Sequence, residues 1–267
     1  IWVDHGDTLL LRDAGWVQMY CEDNQEVLDS ILIAYRLAED KRVLCPAMVC
    51  QDAFVLSHTM MQTDIPTQEQ VDRFLPVLDL PHRVRDQAVT IGGLDFPHET
   101  EAHRRQHDEA LRRAPAVYAE VQDEFEAIFG RRPADTVVPY RMEDAELALV
   151  SMGTTASTAR AAVDAARDKG LKVGSLRVRM FRPFPEVRLR EHLAGCKAVG
   201  FLDRDISLGH GGVLWSEGRG ATAPGTLVQN YVIGLGGGDI RPQHIAELID
   251  DLAGRTQADE PRIVEVG

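Results

Sequence analysis

The apolar positions of the 267-residue chain fall into three sections with different rhythms. In residues 1–59 short apolar runs alternate with polar turns. Ile1-Trp2-Val3 suggests a strand entering the polar segment Asp4-His5-Gly6-Asp7. Val17-Gln18-Met19-Tyr20 alternates as a half-buried strand does. Asp23-Asn24-Gln25-Glu26 then offers an N-cap residue with Glu three positions on, a capping-box pattern. The helix it starts carries Val27, Ile31, Tyr35 and Ala38 on one face and ends near residues 39–41. Residues 43–50 form a continuous apolar run, the kind buried on both faces of a parallel sheet. Pro46 must then stand where no ladder donor is needed.

From 60 to 100 the rhythm breaks at Pro66, Pro76, Pro81, Gly92-Gly93 and Pro97, which predicts an extended connector. Helical spacing returns over 100–129, with Leu111, Ala114, Val117, Val121, Phe125 and Ile128 three or four apart. Pro115 should kink or break that helix, and Gly130 suits its C-cap. Beyond 137, strand and helix alternate. Strands are predicted at 147–152, 172–180, 198–203 and 228–235; helices follow Gly153-Thr154-Thr155 up to Gly170, at 187–193, and from Pro242 to 252. Such alternation implies a two-sided, mostly parallel sheet. The tail from 255 gives no pattern beyond the short run Ile263-Val264.

Composition narrows the classes. Twenty-nine Lys and Arg against 42 Asp and Glu leave a net charge of −13, which argues against nucleic acid or an anionic membrane as partner. No apolar stretch approaches the ~20 residues of a membrane span, and no leader is visible ahead of Ile1. The strand-first start without Met reads as a beginning inside a domain. Cys21, Cys45, Cys50 and Cys196 lack the tight repeated pairs of a zinc or iron–sulfur site, so buried thiols in a reducing cytoplasm are expected.

Three polar clusters invite chemistry. Asp4-His5-Gly6-Asp7 with Arg12-Asp13 offers acid, base and guanidinium groups after a strand, and equally a hydrogen-bonded loop. Ser57-His58 invites a hydrolase reading. Adjacent side chains are expected to diverge, however, and there is no Gly-x-Ser-x-Gly elbow. Gly153-Thr154-Thr155 can seat an anion on helix N–H groups, but it is no P-loop. Gly234-Leu235-Gly236-Gly237-Gly238 reads as a tight strand-to-helix turn, and the lone His210 in its glycine loop as structural. On spacing alone, the chain is a two-domain α/β protein of undefined chemistry.

The motifs taken together are more specific. Asp4-His5-Gly6-Asp7, Arg12-Asp13-Ala14-Gly15-Trp16 and Asp23-Asn24-Gln25-Glu26-Val27 are followed by Met48-Val49-Cys50-Gln51-Asp52-Ala53-Phe54-Val55-Leu56-Ser57-His58-Thr59. Phe181-Arg182-Pro183-Phe184-Pro185, Leu202-Asp203-Arg204 and Gly234-Leu235-Gly236-Gly237 complete the series. In that order they resemble the α subunit of 2-oxoacid:ferredoxin oxidoreductases, in the pyruvate synthase branch. The resemblance implies the end of a thiamine-pyrimidine-type domain at 1–64, a connector with a long kinked helix at 65–136, a transketolase C-terminal-like α/β domain at 137–254, and a tail at 255–267.

It also implies oxidative decarboxylation of pyruvate with coenzyme A, giving acetyl-CoA, CO2 and reduced ferredoxin. Thiamine diphosphate with Mg would be bound mostly by a partner subunit, and [4Fe–4S] clusters would lie in partners. The implied partners are β, γ and ferredoxin-like δ subunits and ferredoxin or flavodoxin. The family's thiamine-engaging Glu and substrate-binding Thr and Arg precede the segment matching Ile1, so no residue here maps onto them. Site candidates are therefore Asp4, His5, Asp7, Arg12 and Asp13 near the cofactor, with Ser57 and His58 as cofactor contacts. A non-catalytic transketolase-like scaffold, or a relative acting on 2-oxoglutarate, branched-chain 2-oxoacids or oxalate, are the alternative readings.

Overall fold

The computed structural model describes residues 2–80, 88 and 92–266. The chain forms two sheets that share one connecting segment. The smaller sheet is built on β1 (Val17–Tyr20), whose four residues are all buried. β1 pairs in parallel with β2 (Ala47–Cys50), Val17 opposite Ala47 and Tyr20 opposite Cys50. Pro46 sits just before β2, where its carbonyl accepts from Val17 and no N–H is required. The strand is thus shorter than the apolar run 43–50. Ile1 lies outside the described residues, and Trp2 and Val3 are irregular rather than strand. A single helical turn, α1 (Gly6–Leu9), follows them instead.

α2 (Asn24–Ala38) covers this sheet with a face other than the expected one. Asp29, Ser30, Ile33 and Leu37 are buried, while Ile31 and Tyr35 are exposed. Asp23 caps the helix by accepting from the Glu26 N–H. The expected reciprocal bond is absent, because the Glu26 carboxylate accepts from the Glu22 N–H instead and turns inward. There it meets Arg177 at 2.6 Å and Arg179 at 2.7 Å. Burial alone would raise the Glu26 carboxyl, but the two guanidiniums outweigh it and hold the group at about 2.

The connector is not structureless. α3 (Gln68–Phe74) starts at a capping box in which Thr67 and Gln70 exchange bonds. The predicted break at Pro81 lies outside the described residues. α4 (Pro97–Phe129) runs unbroken through Pro115 to Gly130, whose φ of +74° makes the left-handed cap. Its buried face, from Ala110 to Phe129, packs on α2 and α3 and holds the helix together on both sides of the proline.

The larger sheet has six strands in the order β3 (Val137–Tyr140), β5 (Val173–Val178), β4 (Leu147–Ser151), β7 (Ala198–Asp203), β8 (Leu227–Ile233) and β9 (Arg262–Val264). Only the β3–β5 pair is antiparallel. β9 comes from the tail, where no element was expected. Alternate residues of β4 and β7 face opposite ways, as the strand period requires. Leu149 and Leu202 pack under α5 (Thr155–Arg167) and α8 (Pro242–Gly254). Val150, Val199 and Phe201 pack toward α6 (Glu186–Leu193), α7 (Val213–Gly218) and the small sheet.

The two sheets join where β5 passes into β6 (Met180–Arg182), which leaves the large sheet and pairs antiparallel with β1. Arg179 sits at that crossing, fully buried, bonded to Glu26, to the Tyr118 hydroxyl at 2.7 Å and to Ser30 at 2.9 Å. The architecture is α/β with a mostly parallel principal sheet. Among the described residues no helix is long and apolar enough to cross a membrane.

Candidate functional site

From β4 the chain passes through α5 to β5 on one side, and later to β7 on the other. The carboxyl ends of β4 and β7 therefore flank the switch point where open α/β sheets seat ligands. Gly153-Thr154 leaves β4 here and Arg204-Asp205 leaves β7. In this molecule two residues of the first section fill the crevice. Asp52, just beyond β2, places Oδ1 2.8 Å from His5 Nε2. Its other oxygen accepts from the Thr154 N–H at 3.0 Å and, more closely, from the Thr154 hydroxyl. Arg204 Nη1 lies 3.5 Å from the same oxygen, and the Arg204 carbonyl accepts from the His5 N–H. All four side chains are buried.

Gly153, at φ +56°, is needed for this approach, since a Cβ there would lie 2.6 Å from the Asp52 carboxylate. The anion seat expected at Gly153-Thr154-Thr155 is thus occupied from within the chain. Burial would raise the Asp52 carboxyl; the attraction and hydrogen bond of His5, with both Thr154 bonds, bring it down to about 2.

Beneath Arg204 lie two further buried acids. Asp203 accepts from the N–H groups of Leu214 and Trp215 and from the Asn230 amide at 2.7 Å. Asp205 accepts from the Val213 N–H. Burial, then mutual repulsion, pushes Asp203 well above the usual carboxylate range; burial also raises Asp205.

The expected site residues separate. His5 joins the buried crevice. Asp4 and Asp7 are exposed and accept from the N–H groups of Gly6 and Thr8 in their own loop. Arg12 and Asp13 line a different cleft, of about 680 Å³, with Arg104, His107 and Arg182. Arg12 and Arg182 both contact the Glu217 carboxylate there, at 3.0 and 2.6 Å.

Ser57 and His58 lie on the segment after β2. Contrary to the expected divergence, Ser57 Oγ stands 2.8 Å from His58 Nδ1. The reason is local: Phe54 adopts φ +64°, and its N–H donates to Ser57 Oγ, so the turn folds the hydroxyl toward the next ring. His58 stacks on Phe54 and Phe54 on Trp2. Beside this stack opens a cleft of about 640 Å³, lined by Trp2, Phe54, Thr154, Thr155, Arg204 and Asp239.

The sequence reading missed Asp52, Thr154 and Arg204 as partners of His5. The available signal was their position: each stands just past the carboxyl end of a strand of a parallel pair.

Two family models match the chain. One is described as pyruvate flavodoxin/ferredoxin oxidoreductase, thiamine-diphosphate-binding, over residues 1–123; the other is pyruvate:ferredoxin oxidoreductase core domain II, over 145–245. Pyruvate synthase subunit PorA of Methanothermobacter thermautotrophicus is 39% identical over all of this chain and 68% of its own length. The PorA of Thermotoga maritima is 42% identical over 97% of the chain and 67% of its own. Ketoisovalerate oxidoreductase subunit VorA of Pyrococcus horikoshii is 36% identical over 94% of the chain and 65% of its own. The chain thus spans about two thirds of the length of the curated relatives it matches. A solved 2-oxoglutarate:ferredoxin oxidoreductase from Magnetococcus marinus, with 2-oxoglutarate, coenzyme A and succinyl-CoA bound, shares the fold. Its TM-score is 0.59 and its identity 14%, over 88% of this chain and 42% of that one. Family models and sequence relatives agree: the chain belongs to the α-subunit family of 2-oxoacid:ferredoxin oxidoreductases, with pyruvate synthase subunits among its relatives.

Proposed function

We propose that the chain is the greater part of an α subunit that, with its partner subunits, oxidatively decarboxylates pyruvate and passes the acetyl group to coenzyme A and the electrons to ferredoxin. The observation that carries this reading is identity of about 40% to pyruvate synthase subunits along essentially the whole chain, against 36% to a ketoisovalerate relative. Thiamine diphosphate, when bound, would supply the nucleophile and the electron sink that decarboxylation of a 2-oxoacid needs.

The residues of this chain frame that chemistry. Among those described, no group of three His, Cys, Asp or Glu is placed to hold a metal ion. The four cysteines are buried and form no disulfide. We assign the magnesium, the diphosphate and the [4Fe–4S] clusters to β, γ and δ partners, as the family resemblance implies. Ser57 and His58, hydrogen-bonded and exposed at the carboxyl end of β2, are the groups best placed to meet a cofactor from outside. Arg12 supplies a guanidinium to the neighbouring cleft, and Asp4, Asp7 and Asp13 shape the loop that carries it. His5 acts as a positioning residue, since its ring is committed to Asp52.

The test is omission. The assembled complex should form acetyl-CoA only when pyruvate, coenzyme A, thiamine diphosphate and an electron acceptor are all present. Thiamine-independent turnover, or none with any 2-oxoacid, would overturn the reading and favour a scaffold.

A further inference from the structure

The turn after β2 is a strap held at both ends. At its start the Asp52 carboxylate is bound from three directions: by His5 just before α1, by Thr154 beyond β4 and by Arg204 beyond β7. The Asp52 carbonyl also accepts from the Leu56 N–H at 2.9 Å, which joins the buried carboxylate to the turn. At the far end the Asn24 amide donates to the carbonyls of Leu56 and Thr59. Leu56 is buried between these ties.

Between the ties the backbone is strained. Phe54 keeps a left-handed conformation that a residue with a side chain seldom adopts, and such strain persists only where the surroundings over-determine it. That conformation brings the Phe54 N–H within 2.9 Å of Ser57 Oγ and lays its ring on His58. Ser57 Oγ, accepting from Phe54, has its own hydrogen to give to His58 Nδ1 at 2.8 Å. The neutral ring then carries its proton on Nε2, which has no partner among the described residues. An N–H presented in this way suits an oxyanion, and pyruvate, coenzyme A and thiamine diphosphate all carry one.

We propose that Asp52 is the positioning residue of the Ser57–His58 pair: anchored in the crevice, it holds the strap in the turn that presents His58 Nε2–H as a donor to an oxyanion of the reaction. This rests on the contact assigned to Ser57 and His58 under Proposed function. Asp52 itself is buried and acts only through the turn. Kinetics of the assembled complex and ring-nitrogen signals of the full chain labelled with 15N-histidine test it together. His58→Ala identifies the His58 signals and should raise one KM, for pyruvate, coenzyme A or thiamine diphosphate, roughly fivefold or more. Which KM rises names the oxyanion. Asp52→Ala should raise the same KM by a similar factor with kcat within about twofold, and its His58 proton should no longer be confined to Nε2. Asp52→Asn should restore both. Its oxygen keeps the Thr154 bonds and its amide donates to His5, whose unpartnered Nδ1 takes the ring proton.

Where Asp52→Ala fails to fold, Thr154→Val, which removes the hydroxyl bond to the carboxylate, should raise the same KM about twofold and move the same signals. Unchanged KM values in the Asp52 or Thr154 variant, beside a raised one in His58→Ala, would overturn the proposal. So would His58 signals identical to those of the parent. A His58→Ala complex with all three KM values unchanged would instead overturn the contact assigned under Proposed function, and the donor role with it. The signals test the anchoring even in a complex that turns over no 2-oxoacid.

Discussion

Asp52 shows how one side chain ties distant parts of the sequence together. It receives His5 from 47 positions before it and Thr154 from 102 positions after it. Its motif was visible in the sequence, whereas its partners were not, because partner choice depends on which strand ends meet and spacing does not encode that. His5 was read as one of a cluster of five; folding separates it from Asp4, Asp7, Arg12 and Asp13.

The buried acids also set the pH response. Asp52 and Glu26, held at about 2, contribute stability that is present above their unfolded values and lost as pH falls through 2. Asp205, raised to about 6, acts in the opposite sense: the stability of its protonated form is complete below about pH 4 and lost as pH rises through 6. Thermal stability should therefore be highest near pH 4 and fall as pH rises through 6. Asp205→Asn should flatten that decline, at a gain on the order of 2 kcal/mol at pH 7.5. Melting curves of both proteins from pH 4.5 to 7.5 check this, and parallel slopes would contradict it.

At the scale of elements, periodicity found the long helices and the buried strands but missed the short pieces. α1, α3, α7 and β9 each have three to seven residues, too few for a period to emerge. α2 was placed correctly in sequence but rotated about its axis. Its stripe Val27–Ile31–Tyr35–Ala38 is apolar, yet the face that Glu26 and Ser30 share is drawn inward by Arg177 and Arg179 from the β5–β6 crossing. An apolar pattern cannot reveal a face selected by buried ion pairs.

The two faces should therefore respond differently to substitution. Glu26→Ala leaves two buried guanidiniums short of a partner and should cost about 3 kcal/mol or more. Tyr35→Ser, on the exposed stripe, should stay within about 0.5 kcal/mol. Denaturant midpoints on the two variants decide it, and equal losses would mean that the helix is packed the other way round.

Across the whole molecule, the ordinary ligand crevice of a parallel sheet has become a joint. His5 and Asp52 reach across from the small sheet, β6 crosses back to complete that sheet, and exposed chemistry is left at the strap and in the Arg12 cleft. The mostly parallel fold could be read from the alternation beyond residue 137 and the family from the order of its motifs. The shared strand and the filled crevice are long-range facts that only the folded chain supplies.

As proposed, this chain serves a pyruvate-oxidising enzyme. The most direct test is kcat/KM of the assembled complex, compared side by side on pyruvate, 2-oxoglutarate and 2-ketoisovalerate with coenzyme A and ferredoxin. Pyruvate should lead both others by at least tenfold; a complex that prefers either of the larger 2-oxoacids would rule the assignment out.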